Sequence, residues 1–266
     1  MTPRRIIVHA GFHKTGTTTV QTHLRQNGRY IWPKSALVLP GRTRGGAALM
    51  AVRYSRLGAP ALLEAFASDL HKTLSALDVG TSRKVLISDE NLAGRMPGRD
   101  GQMAYGATAP LMARAEQVIH DVFGTDAEVI FHFSIRHPET WLRSTYRHNL
   151  RTSRLTMDRD TYLDTYRAAS DLRRVAEDVA GAVKGRVQLR DVAGLDGPEG
   201  LSAPLIDLLD LPGHLRRKLV PLPPQNVGPN DDVLDALLDL NRSKLSDKAL
   251  QKAKAALLEK AHSHDG

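Results

Sequence analysis

The chain has 266 residues, of which 41% are hydrophobic, so it is long enough for one large α/β domain or for one domain with a helical appendage. Lys and Arg exceed Asp and Glu by 37 − 29 = 8, and such a basic surface suits an anionic cofactor, an acidic acceptor or a nucleic acid. No cysteine is present, which excludes disulfide bonds and thiolate metal sites and fits a reducing compartment.

The N-terminal region has no long apolar stretch. Its apolar run, 6–10, is far too short for a signal peptide or a membrane span, so we expect a soluble cytoplasmic protein. Aromatic residues make up 5% of the chain, and no zinc-finger, RNP or K-homology pattern occurs. Base-stacking surfaces need aromatic side chains, so no nucleic-acid partner is expected. Nothing in the sequence indicates the oligomeric state.

A phosphate-binding loop follows the first predicted strand, 5–10. Gly11 and Gly16 have the G-x-x-x-x-G spacing of a P-loop, whose backbone amides and following helix N-terminus bind anions. A nucleotide triphosphatase has lysine directly after the second glycine, whereas this chain has Thr17 there and places its lysine inside the loop, as Lys14. The loop therefore suits a donor with one phosphate and a compact transferable group, bound without a metal ion.

Strands and helices are predicted to alternate through the first part of the chain. Continuous apolar runs, typical of strands buried on both faces of a parallel sheet, occur at 5–10, 36–39 (the weakest), Lys84–Ser88, Glu128–Ile135 and 186–190. Apolar residues at helical spacing predict helices at 17–27, 61–77, 110–123 and 139–150. This alternation predicts an α/β fold, a three-layer sandwich with a central parallel sheet.

The composition changes after residue 191. The segment 192–231 is punctuated by prolines, namely Pro198, Pro204, Pro212, Pro221, Pro223, Pro224 and Pro229. A helical pair is predicted beyond it, at 232–244 and Asp247–His262, with Ser246 and Asp247 as caps of the second helix. Too few apolar residues remain there for an independent core. We therefore predict a single domain, 1–266, with a core at about 4–191 and a Pro-rich segment and helical C-terminal cap at about 192–266.

A second motif follows the strand Glu128–Ile135. Arg136 comes directly after that strand, and Ser144 lies eight residues later on the next predicted helix. An arginine supplies a bidentate fork and a serine a short donor, which together suit a phosphate monoester. The alternative for Arg136 is a helix-capping or ion-pairing role.

The two motifs, in this order, resemble those of the sulfotransferase family, and the resemblance covers roughly residues 5 to 151. In that family the strand–loop–helix holds the 5′-phosphosulfate of 3′-phosphoadenosine 5′-phosphosulfate (PAPS), and the arginine and serine hold its 3′-phosphate. The resemblance implies a P-loop NTPase-like fold and sulfuryl transfer from PAPS to a hydroxyl, leaving PAP, with no metal required. It implies donor-binding roles for His13, Lys14, Thr15, Gly16, Thr17, Thr18, Thr19, Arg136 and Ser144.

Lys14 and Glu90 are the predicted catalytic residues. Lys14 can neutralise charge that develops on the leaving phosphate and on the sulfuryl group, although a surface lysine in a turn is the alternative. Glu90 follows the strand Lys84–Ser88, and ligands of open α/β sheets lie beyond the carboxyl ends of strands. The surrounding Ser-x-Glu-x-Leu string resembles sulfotransferases with a glutamate base, so Glu90 is the candidate base.

Several points stay open around this base. Asp89 and a histidine such as His13 are alternative bases, and Glu90 can instead cap a helix or pair with an arginine. The acceptor is a small molecule or a carbohydrate; the mild preference for a carbohydrate hydroxyl rests only on the resemblance at Glu90. His137 and His148, which flank the second motif, are expected to pack locally or to face solvent.

Two basic groups have no assigned role. Arg143, Arg147, Arg151 and Arg154 are spaced to form a stripe on a helix, which suits a solvated face or an acidic acceptor. The glycine-containing basic loop with which many sulfotransferases cover the 3′-phosphate has no clear match; Arg216, Arg217 and Lys218 form the nearest cluster. No metal site is predicted, because the histidines lack ligand spacing.

Two other classes of function compete with this hypothesis. A P-loop kinase or nucleotide triphosphatase predicts lysine directly after Gly16, which is absent, and an aspartate at a strand end for Mg²⁺, which Asp89 could supply. A non-catalytic protein that binds anions or nucleic acid is the third possibility.

Overall fold

A five-stranded parallel sheet forms the centre of the computed structural model, which describes residues 3–80, 83–222 and 231–262. In chain order the strands are β1 (Arg5–His9), β2 (Ser35–Val38), β3 (Lys84–Ser88), β4 (Glu128–Ile135) and β5 (Arg186–Asp191). They lie in the order β2-β3-β1-β4-β5, and each neighbouring pair is parallel. The predicted α/β fold class and its parallel sheet are confirmed.

Helices cover both faces of the sheet, and two further helices form the C-terminal end of the described chain. They are α1 (Thr17–Gln26), α2 (Gly28–Ile31), α3 (Pro40–Thr43), α4 (Ala47–Leu57), α5 (Pro60–Ser75), α6 (Thr108–Phe123), α7 (Pro138–Thr152), α8 (Arg159–Thr165), α9 (Leu172–Ala182), α10 (Ala203–Leu209), α11 (Gly213–Arg216), α12 (Asp231–Arg242) and α13 (Asp247–His262). Short 3-10 helices lie at Glu90–Ala93, Arg167–Ser170 and Gly200–Ser202.

The alternation of side chains along β1 divides the core between the two faces of the sheet. Successive residues of a strand point to opposite faces. Ile6 and Val8 belong to one buried cluster, which also contains Phe66, Leu70, Leu111 and Ile119 from α5 and α6. Ile7 belongs to the other cluster, together with Val20, Leu24, Leu205, Ile206 and Leu209 from α1 and α10. The sheet is therefore the middle layer of three.

The layer that contains α1 also contains α10, a helix from the Pro-rich segment 192–231. Pro204 lies in the first turn of α10, where a missing N–H leaves no intrahelical hydrogen bond unmade, so the helix can begin there. The part of that segment containing Pro223, Pro224 and Pro229 lies outside the described residues. The division into a core at 4–191 and a cap beyond it stays a prediction, although α10 contributes to the buried core.

The C-terminal helices α12 and α13 hold the end of α7. Lys254, which is 1% exposed, donates hydrogen bonds of 2.6 Å to the Leu150 carbonyl and 2.7 Å to the Ser153 carbonyl. Nδ2 of Asn241 donates a second hydrogen bond to Leu150, at 3.1 Å. Helices leave their last carbonyls without intrahelical donors, so these side chains complete the end of α7.

We expect Lys254→Met to lower the free energy of unfolding by about 1–3 kcal/mol, because the Ser153 carbonyl loses its side-chain donor and the Leu150 carbonyl loses one of its two. Urea denaturation followed by circular dichroism measures the change. Lys252→Met, at an exposed position of the same helix, is the matched control and should change stability by less than about 0.5 kcal/mol. Equal effects of the two substitutions would contradict the capping role of Lys254.

Candidate functional site

The phosphate loop joins β1 to α1 with three residues at positive φ. Gly11 has φ 121°, Lys14 has φ 65° and Gly16 has φ 89°. Gly16 is the N-cap of α1, and none of the described side chains caps the first turn of that helix. The free amides of a helix N-terminus bind anions. A Cβ at Gly16 would collide with the side chain of Leu201, so glycine also suits the space available there.

A pocket of about 540 Å³ opens in front of this loop. Four segments line it: the loop with the start of α1, Glu90 at the beginning of the 3-10 helix after β3, Met96 just beyond that helix, and Arg136 after β4 with one face of α7. It brings together most of the residues predicted from the sequence, namely His13, Lys14, Gly16, Thr17, Thr18, Thr19, Glu90, Arg136 and Ser144. Their roles in binding and catalysis stay predictions.

Thr15 does not line this pocket, although it was predicted to contact the donor. Its side chain is buried, and Oγ1 donates a hydrogen bond of 2.6 Å to the Phe12 carbonyl. The hydroxyl therefore stabilises the turn from inside the loop.

Glu90 is held by a residue of α1. Nε2 of Gln21 donates to Oε2 of Glu90 at 2.8 Å, and Gln21 itself is buried. Within the described residues, Oε1 of Glu90 has no hydrogen-bond partner, so Gln21 holds one carboxylate oxygen of this pocket-lining residue and the other is free to accept a hydrogen bond. Such an arrangement suits a group that accepts a proton from a bound hydroxyl.

Asp89, the neighbouring carboxylate, has a structural environment instead. Its side chain is fully buried and accepts hydrogen bonds from Thr43 Oγ1 and, at 2.9 Å each, from the backbone N and Nδ2 of Asn91. It caps the 3-10 helix Glu90–Ala93. Burial raises the pKa of Asp89, although these hydrogen bonds oppose the change. Asp89 is not among the pocket-lining residues.

Both ring nitrogens of His13 contact neighbouring side chains. Nδ1 lies 2.9 Å from the Tyr105 hydroxyl, and Nε2 lies 3.4 Å from Oδ1 of Asn91. The indole of Trp141 donates to the His13 carbonyl at 2.9 Å. Burial is the main cause that lowers the pKa of His13 to about 4. The imidazole is therefore neutral near pH 7 and forms a fixed part of the pocket wall.

One face of α7 contributes the basic wall of the pocket. Lining residues recur at helical spacing along it: Thr140, Arg143, Ser144, Arg147, His148 and Arg151. Arg154 was predicted to continue this stripe, but α7 ends at Thr152. Arg154 instead pairs with Asp247 at 3.0 Å, on the side of the C-terminal helices.

The cations of this wall act on Lys14. Burial lowers the pKa of Lys14; Arg151 and then Arg136 lower it further, while Glu90 raises it. His148 was expected to pack locally or face solvent, but it lines the pocket, and burial with the charge of Lys14 lowers its pKa to about 3. The pocket is therefore strongly electropositive, which suits an anionic ligand.

Several residues of the site had no signal in the sequence. Gln21, Asn91, Tyr105 and Trp141 each position a predicted site residue through a side-chain hydrogen bond. Arg216 belongs to the basic cluster that the sequence offered as the nearest match to the loop covering the 3′-phosphate. It pairs instead with Glu199 at 2.6 Å and with Asp207 at 2.8 Å.

Neither a metal centre nor a membrane span is found in the part of the chain that the structure describes. Within these residues, no group of three or more His, Asp and Glu side chains is arranged to hold a metal ion. Similarly, none of the described helices is both long enough and apolar enough to cross a bilayer.

Comparison with known proteins gives only structural neighbours. No protein-family model matches the chain, and no curated protein matches it in sequence. A sulfotransferase from Alicyclobacillus acidocaldarius is 17% identical, with 98% of this chain and 95% of that one covered and a TM-score of 0.40. A proposed kinase from Chloroflexus aurantiacus is 13% identical, with 79% and 98% covered and a TM-score of 0.38. Likenesses this distant carry no argument about activity.

Asp89 and Glu90 are expected to differ in their effect on stability. Asp89→Ala removes a helix cap and several buried hydrogen bonds, so it should lower the free energy of unfolding by about 1–3 kcal/mol. Glu90→Gln keeps an acceptor for Gln21 and should change stability by less than about 0.5 kcal/mol. Thermal and urea unfolding of both variants measure the difference. A stable Asp89→Ala variant would contradict the structural role of Asp89.

Proposed function

We propose that the protein is a sulfotransferase that transfers a sulfuryl group from PAPS to the hydroxyl of a small-molecule or carbohydrate acceptor. The observation that supports this most is the meeting of three features in one pocket. A phosphate loop carries Lys14 inside it, Arg136 and Ser144 lie on the neighbouring wall, and Glu90 lies at the end of the adjacent strand.

The donor would be bound at two anionic ends. The amides at Gly16 and the start of α1, with the hydroxyls of Thr17, Thr18 and Thr19, suit the 5′-phosphosulfate. Arg136 and Ser144 suit the 3′-phosphate, because a guanidinium binds a phosphate through two parallel hydrogen bonds. The hydroxyl of Thr15 has no part in this proposal, since it is bonded within the loop.

The proposed reaction needs charge stabilisation and a base. The acceptor oxygen forms a bond to sulfur while the bond from sulfur to the phosphate oxygen breaks, and the acceptor proton moves to Glu90. Lys14 would stabilise the negative charge that grows on the leaving phosphate oxygen and on the sulfuryl oxygens. Gln21 would keep Glu90 oriented towards the acceptor, leaving Oε1 to accept the proton.

The kinase alternative depends on one residue that makes structural contacts here and on another that is absent. It needs a carboxylate at a strand end for Mg²⁺, and Asp89 was the candidate. The oxygens of Asp89 are buried and bonded to Thr43 and Asn91. Thr17 also occupies the position where a P-loop kinase has its lysine. These features favour the sulfotransferase proposal over phosphoryl transfer.

Nucleotide binding tests this proposal directly. We expect PAP to raise the melting temperature of the protein equally with Mg²⁺ and with EDTA, because the proposed contacts are amides, hydroxyls and cationic side chains. A ligand at 100 times its dissociation constant stabilises the native state by about 2.7 kcal/mol. If ATP with Mg²⁺ stabilises the protein and saturating PAP does not, the kinase alternative replaces the proposal.

The same assay locates the 3′-phosphate. Arg136→Ala should weaken PAP binding by about 10- to 100-fold, the effect of one lost charged hydrogen bond, and leave adenosine 5′-phosphosulfate binding nearly unchanged. Arg174→Ala, at an exposed position on α9 where the arginine pairs with Asp178, is the control variant. Equal losses for the two nucleotides would place Arg136 away from the 3′-phosphate.

Lys14 and Glu90 should have separable effects on catalysis. Lys14→Ala should both slow transfer and weaken PAP binding, because the bound donor already carries charge near this residue before the reaction. Glu90→Gln should keep PAP affinity and slow single-turnover transfer by about 10²–10⁴-fold, the usual effect of losing a general base. Transfer at the wild-type rate by Glu90→Gln would leave Glu90 a structural residue and make His13 the next base to test.

A further inference from the structure

The pocket face of α7 has two parts with different surroundings. Ser144, proposed for the 3′-phosphate, lies in the first part, nearer Arg136. Arg147, His148 and Arg151 follow one and two turns later, and Arg151 lies about 10 Å beyond Ser144 at 1.5 Å per residue. We call these three residues the distal wall. They line the pocket at a distance from the proposed 3′-phosphate contact.

The distal wall shares one pocket with Lys14 and with the proposed base, Glu90. The electrostatics agree with this placement, because burial and then the charge of Lys14 lower the pKa of His148. An acceptor bound beside Lys14 and Glu90 would therefore lie in the same cavity as the distal wall.

Positive charge on the distal wall is poorly compensated. In the described part of the chain, the side chain of Arg151 makes no hydrogen bond or ion pair. Arg143, about two turns earlier on the same face of α7, pairs with Glu139 at 2.7 Å. Arg147 faces Asp231 only at 3.6 Å, and its side chain is 42% exposed.

Arg99 adds a further cation behind this wall. Among the described residues its buried Nε atom has no hydrogen-bond partner, and Nη2 donates to the Thr152 carbonyl at 3.4 Å. Burial and the charge of Arg95 lower the pKa of Arg99, and the neighbouring Asp100 opposes them. Like charges held close together raise the free energy of a folded protein unless an opposite charge joins them. A bound anion would supply that charge and could accept hydrogen bonds from Arg151, which lines the pocket.

We propose that the distal wall, with Arg99 behind it, binds an anionic group of the acceptor, so that the hydroxyl to be sulfated belongs to a molecule carrying a carboxylate, phosphate or sulfate. This inference rests on the proposed function, because it takes Glu90 as the base and assigns the loop and Arg136 to the donor. Arg151 is its principal contact, since its guanidinium is part-buried, lines the pocket and lacks a carboxylate partner. The neutral ring of His148 would add an N–H donor.

Matched pairs of hydroxyl compounds test this subsite in the full chain saturated with PAP. The probes are methyl β-glucuronide against methyl β-glucoside, glucose 1-phosphate against the same glucoside, and 4-hydroxybenzoate against 4-hydroxybenzamide. Calorimetry should give tighter binding of at least one anionic member than of its neutral partner, by about tenfold or more. Arg151→Gln should remove this preference by weakening the anionic member about 10- to 100-fold, the effect of one charged hydrogen bond.

Two variants guard against indirect effects. Arg151→Lys keeps the charge and should retain a preference for the anionic member, whereas Arg174→Gln, at an exposed position of α9, should behave as the wild type. PAP affinity should be the same in Arg151→Gln and in the wild type. Unfolding curves establish that each variant is folded before binding is measured.

Other outcomes overturn the proposal. If no anionic probe binds the PAP complex, or if neutral partners bind equally well, the distal wall is not an acceptor subsite. If Arg151→Gln weakens PAP as much as it weakens the anionic probes, Arg151 belongs to the donor site. Failure of PAP to bind the wild type has a different meaning, because it contradicts the proposed sulfotransferase function itself.

Discussion

β1 is hydrogen-bonded to β3 on one side and to β4 on the other, and all three strands run in the same direction. Their carboxyl ends therefore meet at one edge of the sheet, where open α/β sheets bind their ligands. The phosphate loop follows β1, Glu90 lies just beyond β3, and Arg136 follows β4 directly. This pairing brings residues that are far apart in the chain to one pocket. The buried apolar side chains of the three strands keep the strands in register.

The charge of the site follows from which element covers that edge. α7 begins just after β4 and presents a basic face to the pocket, while its apolar residues, including Trp141 and Leu150, are buried. The carboxylates that pair with these arginines, Glu139 and Asp231, are exposed and do not line the pocket. Uncompensated cations therefore collect towards Lys14, in the part of the site where an anionic donor or acceptor would be stabilised most.

Local patterns were enough to predict the sheet and most of the candidate residues that line the pocket. Buried parallel strands are continuous apolar runs, and the loop and the Arg136–Ser144 pair have fixed spacings along the chain. Helix α4 escaped notice because it buries only small side chains, Ala47, Ala48 and Ala51. Gln21 was missed for another reason: its partner, Glu90, is distant in sequence, and a single glutamine on a helix has no distinctive pattern. The sequence likewise did not show that α7 ends before Arg154, because the position of that end depends on tertiary contacts.

Helix α1 links the two chemical tasks proposed for the site. Thr17, at its first turn, lines the anion-binding end of the pocket, and Gln21, one turn later on the same face, holds Glu90 at 2.8 Å. Val20 and Leu24, on the same buried side of α1, pack in one apolar cluster with residues of the sheet and of α10, which fixes the helix along its length. In the proposed reaction, a shift of α1 would thus move the donor phosphate and the Glu90 carboxylate together. One rigid element would then set the distance between the proposed donor site and the proposed base, which an in-line transfer requires.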